Sequence, residues 1–309
     1  MNLRYRVISY ACLIGAMILW SSSFPALKVA FRAYDPMVVI FGRMAVASLC
    51  FLVFFQYFKS VRLQKGTLAP LAFMAFCEPC LYFIFEAKAL EHTTASQAGI
   101  IAGTLPLMVA VAAHYILEER MSRQNLFGLT LAIVGACWLS MTGEATETAP
   151  NPPLGNFLEF VAMVFATGYI ITLKKLSRFY SPLFLTATQA VVGCFFYMPL
   201  LFLPSTTMPT SFDATGLLAI AYLGAFVTIG AYGLYNFSLS RIPASQASAF
   251  VNLIPVFTIF LGWLILDERL LPQQYLATML ILTGIFVSQG AAPREEALPS
   301  VIEGCSAPE

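Results

Sequence analysis

The sequence predicts an all-α integral membrane protein in which ten transmembrane helices form two inverted five-helix repeats around a central cavity. Three observations predict this fold: the composition, the spacing of the apolar segments and an internal repeat. Of the 309 residues, 59% are hydrophobic and only 11% are charged, and the mean hydropathy is +0.78. A soluble domain is about half apolar and about a quarter charged. This chain therefore has too few charges to cover a water-facing surface.

Ten apolar segments, separated by charged residues, proline or glycine, divide the chain, and we number them span 1 to span 10. Each has the length of about 20 residues that a helix needs to cross a bilayer. The first segment lacks a small-residue cleavage site after it, so we expect a retained helix instead of a signal peptide. The predicted bounds are 8–30, 36–58, 68–90, 94–117, 124–142, 156–176, 182–204, 214–239, 245–266 and 273–290.

An internal repeat relates span 4 to span 9. Residues 95–120 read ASQAGIIAGTLPLMVAVAAHYILEER, and residues 244–269 read ASQASAFVNLIPVFTIFLGWLILDER, at a constant offset of 149. Shared apolar composition does not produce matching Ser-Gln, Pro and Glu-Arg positions, so we interpret the pattern as a duplication. Five spans per repeat is an odd number, so the halves are predicted to cross the membrane in opposite orientations, as in secondary transporters. The two Glu-Arg ends are then expected at opposite membrane surfaces, where they anchor the helices.

The repeat also predicts the domain organisation. We expect a first five-helix repeat over 1–142, a polar linker over 143–155, a second repeat over 156–290 and a disordered cytoplasmic tail over 291–309. The side with more Lys and Arg in its loops is cytoplasmic. With the N-terminus inside, the cytoplasmic segments hold twelve of these residues, the opposite side holds four, and Arg43 lies within a span. Both termini are therefore predicted to be cytoplasmic, in a multi-pass protein of the cell inner membrane.

Three features together resemble the EamA-type transporters of the drug/metabolite transporter superfamily: the ten spans, the sequence WSSSFP from Trp20 to Pro25, and the paired ASQA…P…(E/D)ER helices. The resemblance covers about residues 8–290. It implies a secondary membrane transporter rather than an enzyme, since members export amino acids and other small metabolites. It further implies a ten-helix basket whose cavity is lined mainly by spans 1, 3, 4, 6, 8 and 9, with spans 5 and 10 more peripheral. The motifs do not specify the substrate.

Span 3 carries the strongest polar signal inside the hydrocarbon. Glu78, Tyr82 and Glu86 follow one another at four-residue intervals and so share one helix face. Pro79 is expected to kink the helix beside Glu78. Polar groups at mid-membrane are functional candidates, so we predict that this face binds a substrate or couples transport to protons, with Glu78, which has no evident counter-charge, as its main group. Glu86 has an alternative role in a structural ion pair with Arg43 of span 2.

The other candidates are polar residues of spans 1, 4, 8 and 9. A helix broken at Pro25 would expose free carbonyls beside an indole, whereas a kinked helix would have serines that bond their own backbone. Gln97 and Gln246 are repeat partners in the first turns of spans 4 and 9, where the free amides of a helix N-terminus favour a carboxylate. Capping or packing is the alternative there. The predicted substrate-binding residues of these spans are Trp20, Ser21, Ser22, Gln97, Tyr232, Tyr235, Asn236, Gln246 and Asn252.

Other functions are weighed against transport of a metabolite. Cys77 and Cys80 form a CxxC that would suit a metal-ion transporter, but there is no second CxxC, and we predict no metal site and no cofactor. A membrane scaffold or assembly subunit would place its polar residues on peripheral helix faces. An intramembrane enzyme would need a nucleophile–base pair that the sequence lacks. The net charge is +1 and there is no basic stripe, so we predict no nucleic-acid partner. The predicted partners are a small-molecule substrate and the lipid bilayer, and the protein is expected to be a monomer or homodimer.

Overall fold

The computed structural model describes residues 3–54, 56, 58, 61–118 and 122–289. These residues form helices and turns, and within them the only β-type pairing joins Thr146 to Ala149. Eight helical segments are long and apolar enough to cross a membrane, and two shorter apolar helices accompany them. The protein is thus an all-helical integral membrane protein. The predicted tail at 291–309 lies outside the described residues.

Each predicted span overlaps a helical segment of the structure. Spans 3, 4, 8 and 9 are each built from more than one helical piece. The bounds of the ten are Leu3–Phe31, Pro36–Phe51, Leu68–His92, Ala95–Leu117, Arg123–Met141, Pro152–Leu176, Pro182–Leu200, Ala214–Leu239, Ala244–Leu266 and Pro272–Gln289.

Two helix ends differ from the prediction for local reasons. Span 6 begins at Pro152, inside the predicted linker, because the Asn151 side chain accepts a hydrogen bond from the Leu154 amide at 3.3 Å. Proline suits the first helical position, because an N–H there would have no hydrogen-bond partner within the helix. Span 7 ends at Leu200, directly after Pro199, and does not extend to residue 204. A short turn replaces the last predicted helical residues.

Spans 3 and 8, which are repeat partners, are both interrupted near the middle. In span 3, the segments Leu68–Ala75 and Tyr82–His92 are α-helical, and the turn between them at Phe76–Leu81 is wider, of the π type. Within this turn Glu78 has an extended backbone, with φ −146° and ψ 118°. Span 8 has a π-type stretch at Leu223–Ala231. Such turns are frequent at functional sites. The interruption of span 3 contains Pro79, the residue from which we predicted a kink beside Glu78.

The two halves pack mainly on each other. Span 2 packs on span 7, span 4 on span 9 and span 5 on span 10, and each of these pairs joins repeat partners. Span 1 contacts spans 8 and 9, just as span 6 contacts spans 3 and 4. The main buried apolar cluster contains described residues of spans 1–4 and 6–9 and none of spans 5 and 10. Those two spans pack in a separate cluster at one side.

At one end of the bundle, the end of span 9 is tied to the start of span 4. The Glu268 carboxylate accepts hydrogen bonds from the amides of Ala95 and Ser96, both at 2.8 Å, and from the Ser96 hydroxyl at 2.6 Å. It thereby caps helix amides that have no partner within their own helix. Gly262 permits this approach, because a Cβ there would lie 2.8 Å from Glu268 Oε2. The equivalent Glu-Arg end of span 4, at 119–120, lies outside the described residues.

Candidate functional site

A cavity of about 40 Å³ lies at the centre of the bundle, beside the interrupted turn of span 3. One water molecule needs about 10–15 Å³, so a few waters fit in this conformation. The lining comes from spans 1, 2, 3, 4, 6, 8 and 9, so both halves of the chain contribute. Most of the wall is apolar or aromatic. Its polar members are Trp20, Ser23, Arg43, Glu78, Tyr82, Glu86, Tyr169 and Tyr232.

Glu78 lies on the cavity wall and is bonded to the second half of the chain. Its side chain is almost fully buried, and Tyr232 of span 8 donates its hydroxyl to Glu78 Oε1. The Glu78 backbone carbonyl accepts a hydrogen bond from Gln189 Nε2 of span 7 at 3.2 Å. The sequence had shown no partner for Glu78, because Tyr232 is 154 residues away along the chain. Span 8 therefore holds the Glu78 carboxyl, and span 7 holds its backbone.

Glu86 lies on the same wall, beside the arginine of span 2. Arg43 Nη1 is 4.0 Å from Glu86 Oε2, and both side chains are buried. The Arg43 Nε donates to Thr228 Oγ1 at 3.0 Å, and the guanidinium lies over the Phe83 ring, 4.1 Å from its centroid. Tyr82 donates its hydroxyl to Glu86 Oε1 at 2.8 Å. Arg43 and Glu86 are close enough to form an ion pair, and both also line the cavity. The position of Glu86 is therefore compatible with a structural ion pair and with substrate binding.

A polar network behind Tyr232 connects spans 6, 7 and 8. Tyr169 donates its hydroxyl to Asn236 Oδ1 at 2.6 Å, and Asn236 Nδ2 donates to Thr186 Oγ1 at 2.9 Å and to Gln189 Oε1 at 3.3 Å. Because Gln189 also donates to the Glu78 carbonyl, the network reaches the interrupted turn of span 3. Asn236 therefore positions the Tyr169 ring on the wall, although Asn236 does not itself line the cavity.

Three predicted residues carry buried polar atoms that have no hydrogen-bond partner within the described part of the chain. They are the indole N–H of Trp20, the hydroxyl of Tyr235 and the side-chain amide of Asn252. The Trp20 ring lines the cavity and packs on Tyr232 and Tyr235, with centroid distances of 5.1 and 4.8 Å. Buried polar groups almost always find a partner. The Trp20 indole is therefore suited to binding a polar group of a substrate or water, whereas Tyr235 and Asn252 are not part of the cavity lining in this structure.

The serines of span 1 follow the alternative considered for that helix. Span 1 is continuous across Pro25, which excludes the broken helix and leaves the other alternative, in which the serines bond their own backbone. Ser21 donates to the Met17 carbonyl at 2.6 Å, and Ser22 shares a hydrogen bond of 2.5 Å with the Tyr222 hydroxyl. Neither lines the cavity, because an unbroken helix turns the next residue, Ser23, towards it.

The two repeat-related glutamines do not reach the cavity and lie in different environments. Gln97 is buried, and its Oε1 accepts a hydrogen bond from Asn156 Nδ2 at 2.9 Å, which joins spans 4 and 6. Gln246 is exposed. The first turn of span 9 packs through Ala244, Ala247 and Ser248, which leaves residue 246 on the outer face. Neither glutamine lines the cavity in this structure, and substrate contact by this pair stays a prediction.

One buried acid was missed in the sequence, Glu159 of span 6. Its side chain is inaccessible, and neither carboxyl oxygen has a hydrogen-bond partner among the described residues. The signal was present, because a glutamate inside an apolar span is a functional candidate. Its surroundings depend on how span 6 packs on span 3, and no local pattern contains that information.

The cysteines of the CxxC are free thiols buried in the interrupted turn. Tyr197 of span 7 donates its hydroxyl to the Cys80 carbonyl at 2.5 Å, which fixes the backbone of this turn. In the described ranges, no three His, Cys, Asp or Glu side chains are placed to hold a metal ion.

Comparison with known proteins assigns the family. The model of the EamA-like transporter family matches the chain twice, over residues 7–141 and 153–289. The chain belongs to the EamA-like transporter family. It is a multi-pass membrane transporter and not an enzyme, as the resemblance in its sequence implied. The two matches correspond to the two halves of the chain.

Several relatives of this EamA-like transporter align with most of the chain. The uncharacterized transporter YetK of Bacillus subtilis is 24% identical over 246 residues, which is 78% of this chain and 74% of YetK. The uncharacterized transporter YcxC of the same organism is 27% identical over 290 residues, 90% of this chain and 89% of YcxC. A chloroplastic WAT1-related protein of Arabidopsis thaliana is 23% identical over 292 residues, 91% of this chain and 69% of the relative.

The fold is also that of a protein of known structure. A chain described only as "Crystal structure of protein" superimposes with a TM-score of 0.66 and 19% identity, covering 93% of this chain and 98% of that one. At this identity the likeness establishes the fold alone.

Proposed function

We propose that this EamA-like transporter exports small metabolites such as amino acids across the cell inner membrane through the central cavity. The observation that carries the proposal is the convergence of polar side chains from both halves. Glu78 and Glu86 come from the first half, and Tyr169 and Tyr232 come from the second. A scaffold subunit would carry its polar contacts on peripheral faces, where partners bind. Convergence on one interior cavity therefore favours transport over an assembly role.

The cavity has the chemistry that an amino acid requires. A substrate ammonium group is attracted by the Glu78 carboxyl and by the faces of the surrounding aromatic rings. A substrate carboxylate can accept a hydrogen bond from the unpartnered indole N–H of Trp20 on the cavity wall. Tyr235 and Asn252 also carry unpartnered polar groups, and we keep them as substrate-binding candidates that lie outside the lining in this conformation. Arg43 is already engaged by Glu86 and Thr228. We assign Glu78 to substrate recognition or proton coupling on this basis.

The same proposal includes an inverted arrangement of the repeats 1–142 and 156–290, joined by the linker 143–155. Its support is the packing of repeat partners, because spans 5 and 10 run antiparallel. Gly135 packs on Ile281, where a Cβ would lie 2.7 Å from Cγ1, and Gly284 packs on Gly128, where a Cβ would lie 2.5 Å from the carbonyl oxygen. Two like halves in opposite orientation can exchange their conformations, which opens the cavity first to one side and then to the other.

A metabolite screen tests the transport proposal. Cells that overproduce the protein and cells that lack it are challenged with toxic concentrations of amino acids and related metabolites, and release into the medium is measured. We expect overproduction to protect against the substrate and to increase its release, and deletion to do the opposite. Overproduced Glu78→Gln protein, matched for its amount in the membrane, is the control. If no metabolite distinguishes the strains, export of small metabolites is wrong.

Thiol labelling tests the orientation. Single cysteines are placed at 143–155 and at 291–309 in a background without native cysteines, and a membrane-impermeant thiol reagent is added to intact and to permeabilised cells. We expect the linker to react in intact cells and the tail to react only after permeabilisation. Finding both on one side would contradict the odd number of spans between them, and a reversed pattern would contradict the cytoplasmic termini.

A further inference from the structure

Two partly buried lysines, near the ends of spans 1 and 6, have no part in the proposed substrate contacts. They are Lys28 and Lys174, which correspond at an offset of 146. Each ammonium group donates to backbone carbonyls of another segment. The Lys28 Nζ donates to Thr148 at 2.7 Å, and the Lys174 Nζ donates to Leu239 at 2.8 Å and to Ile242 at 2.6 Å. A cation inside a membrane span is a functional candidate.

Both lysines continue the wall of the central cavity. Lys28 follows Phe24 by four residues and Lys174 follows Ile170 by four, and both of these apolar residues line the cavity. Residues four apart share a helix face, so each lysine lies on the cavity side of its helix, about 6 Å beyond the lining. The lining itself repeats at the same offset of 146, since Trp20, Ser23 and Phe24 correspond to Ala166, Tyr169 and Ile170.

Span 8 shows that the two lysines lie at opposite ends of the bundle. Soon after Lys28, the Tyr34 hydroxyl donates to the Asp213 carbonyl at 3.1 Å and accepts from the Asp213 amide at 2.7 Å, directly before span 8 begins. Lys174 bonds to Leu239, the last residue of span 8. We call the end that carries Lys28 the linker end and the other the far end. Each lysine therefore stands at one mouth of the cavity.

Lys174 links two groups of helices across the far end. Span 1 packs on spans 8 and 9, and span 6 packs on spans 3 and 4, which we call the 1–8–9 group and the 3–4–6 group. Lys174 belongs to span 6, whereas its acceptors Leu239 and Ile242 lie at the end of span 8 and in the turn before span 9. Its two hydrogen bonds thus hold the groups together at this mouth.

Lys28 links the same two groups at the linker end, through the linker. Lys28 belongs to span 1, and Thr148 lies in a turn of the linker whose ends, Thr146 and Ala149, bond to each other through their backbones. The linker is in turn fixed to the 3–4–6 group, because the Asn151 amide donates to the carbonyl of His92 at the end of span 3, at 3.1 Å. The linker therefore completes a link that crosses this mouth.

The repeat relation supports equivalent roles for the two links. At the offset of 149, the acceptors Leu239 and Ile242 correspond to Leu90 and Thr93. These two positions lie on either side of His92, to which the linker is bonded. Lys28 thus reaches the turn between spans 3 and 4 by way of the linker, whereas Lys174 reaches the turn between spans 8 and 9 directly.

We propose that Lys28 and Lys174 are the two gate residues of the cavity, each of which holds one mouth closed by bonding to backbone carbonyls across it. The inference rests on the proposed transport function and adds the residues that control access to its cavity. Alternating access opens the two mouths in turn. A hydrogen bond that exists only while a mouth is closed stabilises the closed state, and breaking it shifts the balance towards the open state.

The expected size of this shift follows from the type of bond. A hydrogen bond to a charged group contributes more than a tenfold factor to an equilibrium constant. At the linker end, the bonds of Glu268 to Ala95 and Ser96 are a second link between the groups, from span 9 to span 4. Because each link contributes its own factor, the loss of one lysine should raise the open fraction of its mouth about tenfold even where another link remains.

Thiol accessibility tests the gates without a known substrate. Ser23→Cys places a thiol of similar size on the cavity wall, and the reagent is a small membrane-impermeant methanethiosulfonate. Its labelling rate is measured in intact cells and in inside-out vesicles, after subtraction of the rate in a chain that keeps Ser23. We expect Lys28→Met to raise the rate about tenfold in intact cells only, and Lys174→Met to raise it about tenfold in inside-out vesicles only. Lys28→Arg and Lys174→Arg, which keep a charged donor, should restore much of the closure.

Neighbouring exposed cations are the matched controls. Arg32 lies one turn beyond Lys28, and Lys175 follows Lys174. Arg32→Met and Lys175→Met should leave both labelling rates unchanged. If a methionine variant at a gate position does not reach the membrane, the glutamine variant, which is too short to make the same bonds, replaces it with the same expectation.

The side that responds decides between the outcomes. Unchanged labelling in both lysine variants would overturn the proposal, and so would a rise on the same side for both or an equal rise in the control variants. A pattern with the two sides exchanged would support the gates and refute the proposed orientation. A failed metabolite screen with the expected labelling would refute the proposed export and not the gates.

Discussion

Spans 3 and 8 occupy equivalent places in the two repeats and are both interrupted by a π-type turn, yet they present different chemistry to the cavity. At the offset of 149, Glu78 corresponds to Val227 and Glu86 corresponds to Tyr235. Among the described lining residues, the first half contributes every charged side chain together with aromatic rings, whereas the second half contributes two tyrosines and apolar residues. Duplication therefore preserved the bend of the helix and not its charge. We call the side of the cavity with Glu78 and Glu86 the acidic wall and the side with Tyr169 and Tyr232 the neutral wall. A substrate whose two ends differ in charge would bind between them in one orientation.

Removing the cation of the acidic wall should have the largest effect. Arg43→Ala leaves Glu86 buried without its counter-charge, and breaking a buried pair in this way costs about 3–5 kcal/mol. We expect a large loss of folded protein, measured as the monodisperse fraction in detergent and as the midpoint of thermal unfolding. The double variant Arg43→Ala/Glu86→Gln should recover much of the loss, since no carboxylate is stranded. A single variant as stable as the unaltered protein would show that Glu86 does not depend on Arg43.

Neutralising Glu78 should impair transport without harming the fold. Glu78→Gln keeps the shape of the side chain and removes its charge and its proton, so we expect export to fall about a hundredfold, or about 2.7 kcal/mol. The amount of protein in the membrane should change little. Export of the metabolite found in the screen is measured at several pH values, with Glu91→Gln as the control, because Glu91 is partly exposed and pairs with Lys88. Normal export by Glu78→Gln over the whole pH range would remove Glu78 from the mechanism.

Two tyrosines of span 8, Tyr232 on the cavity wall and Tyr235 outside the lining, should separate effects on stability from effects on binding. Tyr232 donates to Glu78, so Tyr232→Phe removes a hydrogen bond to a carboxyl and should cost about 1.5 kcal/mol of stability. The buried Tyr235 hydroxyl has no partner among the described residues, so Tyr235→Phe should leave stability unchanged and weaken substrate binding about fivefold. Thermal unfolding and the concentration dependence of export distinguish these outcomes. Equal effects of both variants on both quantities would contradict the distinction.

The smallest expected difference in stability is between alanine variants of the two repeat-related glutamines. Gln97→Ala breaks the bond to Asn156 inside the bundle and should cost about 1 kcal/mol. Gln246→Ala changes an exposed side chain and should stay within about 0.5 kcal/mol of the unaltered protein. The midpoints of thermal unfolding, compared in one detergent, measure the difference. Destabilisation by Gln246→Ala as large as by Gln97→Ala would mean that the repeat positions are equivalent after all.

The sequence predicts the helical segments well because a bilayer requires long apolar helices, and hydropathy records that requirement directly. The site is predicted less completely. The face shared by Glu78 and Glu86 follows from their spacing, but the hydrogen bond from Tyr232 joins residues 154 positions apart. Ser21 and Ser22 were predicted to bind substrate, but neither lines the cavity of this conformation, in which span 1 is continuous. Position in a repeat was also a poor guide, since two equivalent glutamines differ in burial when the packing around them differs.

The contact of Glu268 with the start of span 4 has a consequence for the balance between conformations. Its three hydrogen bonds link the two repeats, and bonds to a charged group contribute about 1.5–3 kcal/mol each. Any motion that parts spans 4 and 9 at this end breaks all three together. A shift of about 1.4 kcal/mol changes a two-state ratio tenfold. One methyl group at Gly262, which displaces the carboxylate, would therefore favour the state open at this end without altering any group in the cavity.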